Sequence, residues 1–257
     1  MTIALDAALA CLAAAYGWRW HSLRDIAPNA ATVGRLSAFL SGVASLWAAV
    51  SSPIAHLDQG HLTGHMIQHL LIMTVAAPLL LLGEPACVFW SGRRPPAPVL
   101  AVLSPHPALC WFLGTFTVLF WHVPVIFEFG MRWHVLQHAT FLVAGLLFWV
   151  PVLRPWPTVS RWPLWSIPLY LFVATFPCDA LSAFLAFCGR LVYPHYSAMN
   201  ELCGGVSALE DQERAGTLMW FWVTIAYLVP AALVTIQILS PSSGGPLQRA
   251  MRTTTNG

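Results

Sequence analysis

Long apolar stretches, separated by short segments rich in proline and polar residues, run along almost the whole chain. A helix needs about 20 mainly apolar residues to cross roughly 30 Å of hydrocarbon. Seven stretches approach or reach that length, namely 3–19, 36–53, 62–82, 108–127, 133–153, 165–188 and 216–239. The pattern predicts an all-α fold, a polytopic membrane bundle with seven transmembrane helices.

The first of these stretches gives the weakest signal. It is short and contains Asp6, and it lacks the basic beginning of a secretory signal peptide. We therefore expect it to remain in the protein as a helix. Residues 1–239 then form a single transmembrane domain with a long outer loop at 189–215. We expect the polar residues 240–257 to be a disordered cytoplasmic tail.

Composition supports a membrane location. Hydrophobic residues make up 58% of the 257 residues and charged residues only 9%, whereas a soluble domain usually carries about 25% charge. Such a chain cannot cover itself with polar surface, so lipid must be its main solvent. The net charge is only +2, and the twelve cationic residues, all of them arginine, are dispersed. Nothing in this charge pattern indicates a nucleic-acid partner.

Arginine placement predicts the orientation, because cytoplasmic loops carry an excess of basic residues. With seven spans, the segments between them fall alternately on two sides. One side holds nine arginines: Arg19, Arg24, Arg35, Arg93, Arg94, Arg154, Arg161, Arg249 and Arg252. The other side holds three: Arg132, Arg190 and Arg214. This imbalance predicts an N-terminus outside the cell and a C-terminus in the cytoplasm.

Histidines collect on the predicted outer side. Eight of the ten fall in outer segments or in the outer halves of spans: His56, His61, His65, His69, His122, His134, His138 and His195. Three neighbouring spans therefore bring imidazoles to one level of the membrane. An unpaired polar ring in hydrocarbon is costly, so these rings should face the bundle interior.

The spacing of these histidines favours a metal site. His65 and His69 are four residues apart, as are His134 and His138, so each pair occupies one helix face. Imidazole suits copper, zinc and iron. We predict a metal site formed by His65, His69, His122, His134 and His138.

Three further residues are secondary candidates. His61 and Met73 extend the stripe of residues four apart on the third span, and a thioether favours Cu(I). Packing in the core is the more common role of a lone methionine such as Met73. Asp179 lies near the middle of the sixth span, where a carboxylate is a functional candidate. It would otherwise be protonated, or bonded to backbone groups freed by Pro177.

Other interpretations of the histidines remain open. Interfacial histidines often lie at headgroup level, or hydrogen-bond to a neighbour such as Gln68 or Gln137. Paired histidines on facing helices also bind b-type haem in electron-transfer proteins, although pairs four apart on one helix favour a compact ion. A scaffold without metal, or a transporter, is a further alternative, but a transporter would place its polar residues nearer the midplane.

Three segments resemble the membrane-embedded CtaG-type (caa3_CtaG-like) family of cytochrome c oxidase assembly factors. They are "HMIQHLLIMTVAAPLLLLGEP" (65–85), "FWHVPVIFEFGMRWHVLQHATFLVAGLLFWVPV" (120–152) and "EDQERAGTLMWF" (210–221). They cover the third, fourth, fifth and seventh spans in the order found in the family. The first two spans and the loop 189–209 carry no matching motif.

The resemblance implies a non-enzymatic role in respiratory-chain assembly, in a bacterial inner membrane. It implies a factor that binds copper as a metallochaperone and aids maturation of the CuB centre. The expected partners are subunit I of a haem–copper oxidase and a periplasmic copper donor. The matching positions are His65, Gln68, His69, His122, His134 and His138, and in the last motif Asp211, Gln212, Gly216, Met219 and Trp220. Asp211 and Met219 thereby join the secondary candidates. The resemblance leaves the redox state of the copper open.

Overall fold

The computed structural model describes residues 2–52, 55, 57, 60–91, 106–130, 132–156, 162–197 and 206–240. Every regular element in this part of the chain is helical and no strand occurs there, which confirms the all-α class. The predicted tail beyond Ser240 lies outside the described residues, as do residues 92–105 and His56.

The helices are named in chain order. They are α1 (Thr2–Leu23), α2 (Val33–Val50), α3 (Leu62–Leu70), a π-helical segment (Leu71–Ala76), α4 (Ala77–Leu82), α5 (Pro85–Phe89), α6 (Pro107–Trp121), α7 (Pro124–Gly130), α8 (His134–Leu153), α9 (Ser166–Phe187) and α10 (Ala208–Leu239).

Five helical stretches among the described residues are long and apolar enough to cross a membrane. They are α2, the run Leu62–Phe89, α8, α9 and α10, and α6 with α7 makes a sixth if that bent pair is one span. The helix α1 forms as expected, but Asp6 and Arg19 lower its hydropathy and it does not qualify. The described part of the chain thus supports a membrane protein with five or six candidate spans, and the seven predicted are not all confirmed.

The predicted fourth span, 108–127, is not one continuous helix. The helix α6 ends at Trp121, and α7 runs at 85° to it from Pro124. Proline has no N–H to donate and disfavours helical geometry at the residue before it, so the helix stops there and a new one begins. Proline is well suited to the first turn of the helix that follows.

The predicted third span contains a change of helix type. Between α3 and α4 the chain widens into the π segment, where two tryptophans from other helices donate hydrogen bonds. Trp149 Nε1 lies 2.9 Å from the Met73 carbonyl oxygen, and Trp222 Nε1 lies 2.8 Å from the Thr74 hydroxyl. π-helical turns of this kind are frequent at functional sites.

Small residues allow the central helices to approach closely, as is usual in membrane bundles. A Cβ atom at Gly216 of α10 would lie 2.8 Å from both the Ser182 carbonyl oxygen and the Ala186 nitrogen of α9. A Cβ atom at Gly145 of α8 would lie 3.0 Å from the Met73 Cα atom in the π segment. The main core therefore lies between α3, α6, α8, α9 and α10.

A smaller core joins α1, α2 and α5 at the other end of the bundle. The Tyr16 hydroxyl donates to the Gly83 carbonyl oxygen at 2.6 Å, and Arg35 forms an ion pair with Glu84 at 2.7 Å. Glu84 adopts a left-handed conformation, with φ of 44°, at the sharp turn between α4 and α5. These contacts attach α1 and α2 to the end of the bundle that is remote from the histidines.

Candidate metal centre

Two of the predicted ligands lie one turn apart at the beginning of α3. His65 and His69 are 1% and 2% exposed, and their ring centroids are 5.7 Å apart. Residues four apart on a helix lie one above the other, so both rings face the interior on the same side.

The break after α6 brings a third imidazole to this pair. His122 directly follows the last residue of α6, and its ring centroid lies 5.1 Å from that of His69 and 6.3 Å from that of His65. One ligand nitrogen from each ring lies within 4.8 Å of the other two. Three nitrogen ligands at bonds of about 2.0 Å from one ion lie about 3.3–3.5 Å from one another. The three ring nitrogens would therefore need to close by up to about 1.5 Å around an ion.

Backbone carbonyls orient two of these three rings. His69 Nδ1 lies 3.2 Å from the His65 carbonyl oxygen, and His122 Nδ1 lies 2.7 Å from the Val118 carbonyl oxygen. A carbonyl oxygen only accepts, so Nδ1 must carry the proton and the Nε2 lone pair is left available. Such bonds from the remote nitrogen are the usual support of metal-binding histidines.

Several nitrogen atoms of this group have no partner. Neither ring nitrogen of His65, nor Nε2 of His69, is hydrogen-bonded to any residue that the structure describes. Buried polar atoms are nearly always paired in native proteins, so an unpaired set requires an explanation. A bound metal ion would take one nitrogen of His65 and Nε2 of His69, and the donor set therefore fits a metal.

A thioether outside the predicted ligand set lies at the same place. Met66 is fully buried, and its Sδ atom lies 3.5 Å from His122 Nε2. The run of residues spaced four apart on the third predicted span includes Met73 and omits Met66. The position of Met66 beside His65 and three residues before His69 could have identified it, because residues three apart also share a helix face.

Aromatic side chains cover the three histidines. Phe127 of α7 packs edge-on against His65 at 5.0 Å, and Tyr193 packs on Phe127 at 4.2 Å. Tyr196 lies 6.1 Å from Phe127 and, like Phe127 and Tyr193, is almost fully buried. We call Phe127, Tyr193 and Tyr196 the aromatic cover.

A hydrogen bond fastens the aromatic cover to the site. Burial raises the pKa of the Tyr193 phenol above its ordinary value, so the hydroxyl stays protonated. It donates to the His122 carbonyl oxygen at 2.8 Å. The loop that follows α9 is thereby joined to the break between α6 and α7.

The other two predicted ligands lie beside this group and outside it. His134 and His138 begin α8 with ring centroids 6.2 Å apart, and both are only partly buried. His138 Nε2 lies 3.3 Å from Gln68 Oε1, and the Gln68 amide nitrogen donates to the Ala55 carbonyl oxygen at 2.8 Å. His138 thus has Gln68 as a hydrogen-bond partner, which is the alternative role that the sequence offers for a histidine that does not bind a metal.

Asp211 has a structural place at the start of α3. Its Oδ2 accepts from the Leu62 backbone nitrogen at 2.6 Å, and its Oδ1 accepts from the Thr63 hydroxyl at 2.7 Å. The neighbouring Gln212 accepts from the Val192 nitrogen at 2.7 Å and donates to the Arg190 carbonyl oxygen at 2.9 Å. The beginning of α10 therefore holds both α3 and the loop after α9.

The remaining secondary candidates lie away from the three histidines or at their edge. His61 is the partly buried residue directly before α3, Met73 belongs to the π segment, and Met219 is buried on α10. Asp179 is partly buried on α9, and its Oδ1 has no hydrogen-bond partner among the described residues. The three-histidine group of the described chain includes none of these residues.

Comparison with known proteins agrees with the resemblance seen in the sequence. The model of the cytochrome c oxidase caa3 assembly factor family (Caa3_CtaG) matches residues 14–240. Neither the curated proteins nor the solved structures contain a significant match to the chain. The family match begins within α1 and ends just after α10, so it includes every helix that contributes to the histidine group. The chain belongs to the cytochrome c oxidase caa3 assembly factor family.

Proposed function

We propose that this protein binds copper at His65, His69 and His122 and transfers it to subunit I of a haem–copper oxidase during maturation of the CuB centre. Membership of an oxidase assembly factor family supports the oxidase as the recipient. The observation that carries the proposal is the convergence of one buried ring nitrogen from each of His65, His69 and His122 within 4.8 Å, with both His65 nitrogens and His69 Nε2 unpaired among the described residues.

The surroundings of the three rings favour an ion over b-type haem. Phe127 contacts His65 at 5.0 Å and Phe141 contacts His69 at 5.3 Å. A porphyrin bound by these imidazoles would have to displace aromatic rings that already pack on them. A single ion needs only a small inward movement of the three side chains.

His134 and His138 are suited to a role in the transfer route. They are more exposed than the three buried histidines, and His138 is bonded to Gln68 on α3. In our proposal, copper from a periplasmic donor meets this pair first and then moves to the buried group.

The predicted orientation supports delivery from the periplasm. The beginning of α3, the end of α6 and the beginnings of α8 and α10 lie at one end of the bundle, joined by the bonds of His138, Tyr193 and Asp211. In our proposal this end lies on the outer face of the bacterial inner membrane, as the arginine distribution predicts. The mechanism would be ligand exchange with a docked membrane subunit, without catalytic turnover.

The proposal is tested in a strain that lacks this protein and expresses either wild type or a His65→Ala, His69→Ala or His122→Ala variant. Each alanine removes one of only three nitrogen ligands, so we expect the copper content of purified variant protein to fall to background. We also expect subunit I from these cells to contain haem but to lack CuB. Copper analysis of both purified proteins provides the measurement.

The control is His106→Ala. His106 is exposed at the start of α6, at the opposite end of that helix from His122, and this variant should behave as wild type. Unchanged copper in all three site variants, or full CuB occupancy in cells without the protein, would contradict the proposal. A Soret band in the purified protein would instead favour the haem alternative.

A further inference from the structure

We infer that Met66 is a fourth ligand of this site and makes it selective for monovalent copper. The inference rests on the proposed copper function and adds to it the oxidation state of the metal and a sulfur donor. The observation that carries it is the position of the Met66 thioether against His122 Nε2, at 3.5 Å.

This contact is not an ordinary hydrogen bond. His122 Nδ1 lies 2.7 Å from the Val118 carbonyl oxygen and must carry the ring proton, so Nε2 of the neutral ring presents a lone pair. A thioether sulfur has no proton to donate and presents lone pairs as well. Two electron-pair donors therefore face each other, an arrangement that a cation between them would stabilise.

The alternative is a protonated His122, in which Nε2 carries a proton directed at the Met66 sulfur. That ring would then carry a positive charge in a site where His65, His69 and His122 are each at most 3% exposed. The group contains no carboxylate among the described residues to balance such a charge. Burying an uncompensated charge is strongly unfavourable, so a neutral ring with a shared soft cation fits the site better.

The charge of the ligands also selects the oxidation state. Three neutral imidazoles and one thioether provide no negative charge to offset the ion. The nearby carboxylate of Asp211 is already bonded to the Leu62 nitrogen and the Thr63 hydroxyl. The desolvation cost of an ion rises steeply with its charge, so a monovalent ion is favoured over Cu(II) or Zn(II). Thioether sulfur is a soft ligand that selects Cu(I).

The other two described methionines do not have this geometry. Met73 lies in the π segment, where Gly145 packs against its backbone and Trp149 bonds to its carbonyl oxygen. Met219 is buried on α10. Both are therefore suitable controls for the loss of a buried methionine.

The experiment measures Cu(I) affinity of the full-length protein in detergent, by competition with a coloured Cu(I) chelator under reducing conditions. Zn(II) affinity is measured on the same samples. We expect Met66→Leu, which keeps the side-chain volume, to weaken Cu(I) binding about tenfold or more, comparable to the loss of an ordering partner at other metal sites. Zn(II) binding should change less than twofold, since zinc gains little from a thioether. Met73→Leu and Met219→Leu should bind Cu(I) as wild type does.

A second measurement does not depend on the stability of any variant. Copper K-edge absorption of the wild-type protein loaded with Cu(I) should show one sulfur neighbour in addition to nitrogen. A spectrum with nitrogen neighbours only would overturn the inference, as would an unchanged Cu(I) affinity in Met66→Leu or a loss that occurs in Met73→Leu instead.

The two proposals fail in different ways. If His65→Ala abolishes copper binding while Met66→Leu leaves it unchanged, copper binding stands and the role of Met66 is rejected. If the wild-type protein binds no copper in either oxidation state, both are rejected.

Discussion

Asp211 holds the beginning of α3 in place from a helix that is distant in the sequence. The first N–H groups of an α-helix have no partner within the helix, and a carboxylate near that end is favourable. Both oxygens of Asp211 are used there, with the Leu62 nitrogen and the Thr63 hydroxyl. Because His65 and His69 follow within the next two turns, this contact also positions the metal centre.

We predict that Asp211→Asn destabilises the protein. Asparagine has one acceptor oxygen, and its amide group would face a donor in place of the second carboxylate oxygen. Hydrogen bonds to charged groups contribute about 1.5–3 kcal/mol, so the thermal unfolding midpoint in detergent should fall clearly. Differential scanning calorimetry, or fluorescence of the many tryptophans, would measure it.

Glu210→Gln is the matched control for Asp211→Asn. Glu210 is the preceding residue, and its ion pair with Arg214 is about half exposed. Exposed pairs contribute about 0–1 kcal/mol, so this variant should unfold close to the wild-type temperature. Equal midpoints for both variants would show that Asp211 does not stabilise α3.

Part of the site could be predicted from single residues. The spacing of His65 and His69, together with the level of His122 in the membrane, brought these three residues into one predicted site. Met66 was missed because its contact depends on how the end of α6 turns after Trp121. His138 was grouped with the others because sequence spacing does not show that Gln68 lies within bonding distance of its ring.

At the level of helices, Gly216 allows the backbones of α9 and α10 to approach closely. Gly216→Ala would place a methyl group 2.8 Å from the Ser182 carbonyl oxygen and the Ala186 nitrogen. These are backbone atoms within a helix and cannot move aside individually. We predict a loss of about 1–3 kcal/mol, as for other overpacked cores, measured as a lower unfolding midpoint.

Gly17→Ala tests whether the effect comes from packing. A Cβ atom at Gly17 of α1 would meet no atom within 4 Å, and alanine is favoured over glycine in a helix by about 1 kcal/mol. This variant should be as stable as wild type or slightly more so. A Gly216→Ala protein that behaves in the same way would contradict the close packing of α9 on α10.

The two irregular elements differ in how far the sequence could predict them. Pro124 is a local signal that the helix ends near Trp121. The prediction of one uninterrupted span over 108–127 does not take this signal into account. The π segment has no comparable signal, because its widening accompanies hydrogen bonds from Trp149 and Trp222, which lie far away in the chain. Such elements follow from packing between helices and not from local preference.

For the whole molecule, the orientation in the membrane remains a prediction. Four arginines of the described chain lie at the end opposite the histidines, namely Arg19, Arg24, Arg35 and Arg154, against Arg132, Arg190 and Arg214 at the histidine end. The nine-to-three imbalance of the full sequence depends on five further arginines, which the sequence places on the predicted cytoplasmic side. They are Arg93, Arg94, Arg161, Arg249 and Arg252.

Reporter fusions test this orientation. We expect green fluorescent protein fused after Gly257 to fluoresce, and alkaline phosphatase fused there to be inactive, because the C-terminus should be cytoplasmic. Phosphatase inserted between residues 198 and 205 should be active. The opposite pattern would put the histidines on the cytoplasmic side and would require a cytoplasmic copper source.

Under the proposed function, the aromatic cover has a consequence for the timing of copper transfer. Phe127 packs on His65, Tyr193 and Tyr196 pack on Phe127, and the Tyr193 hydroxyl is bonded to the His122 carbonyl oxygen. In the proposed function, an ion bound by the three histidines reaches solution past the cover only when α7 or the loop after α9 moves away. The lifetime of the loaded state then depends on that opening and on the route past His134 and His138. A recipient subunit that displaces the cover on docking would receive the ion quickly. A soluble chelator of equal affinity would remove it past the cover only at the rate at which the cover opens spontaneously.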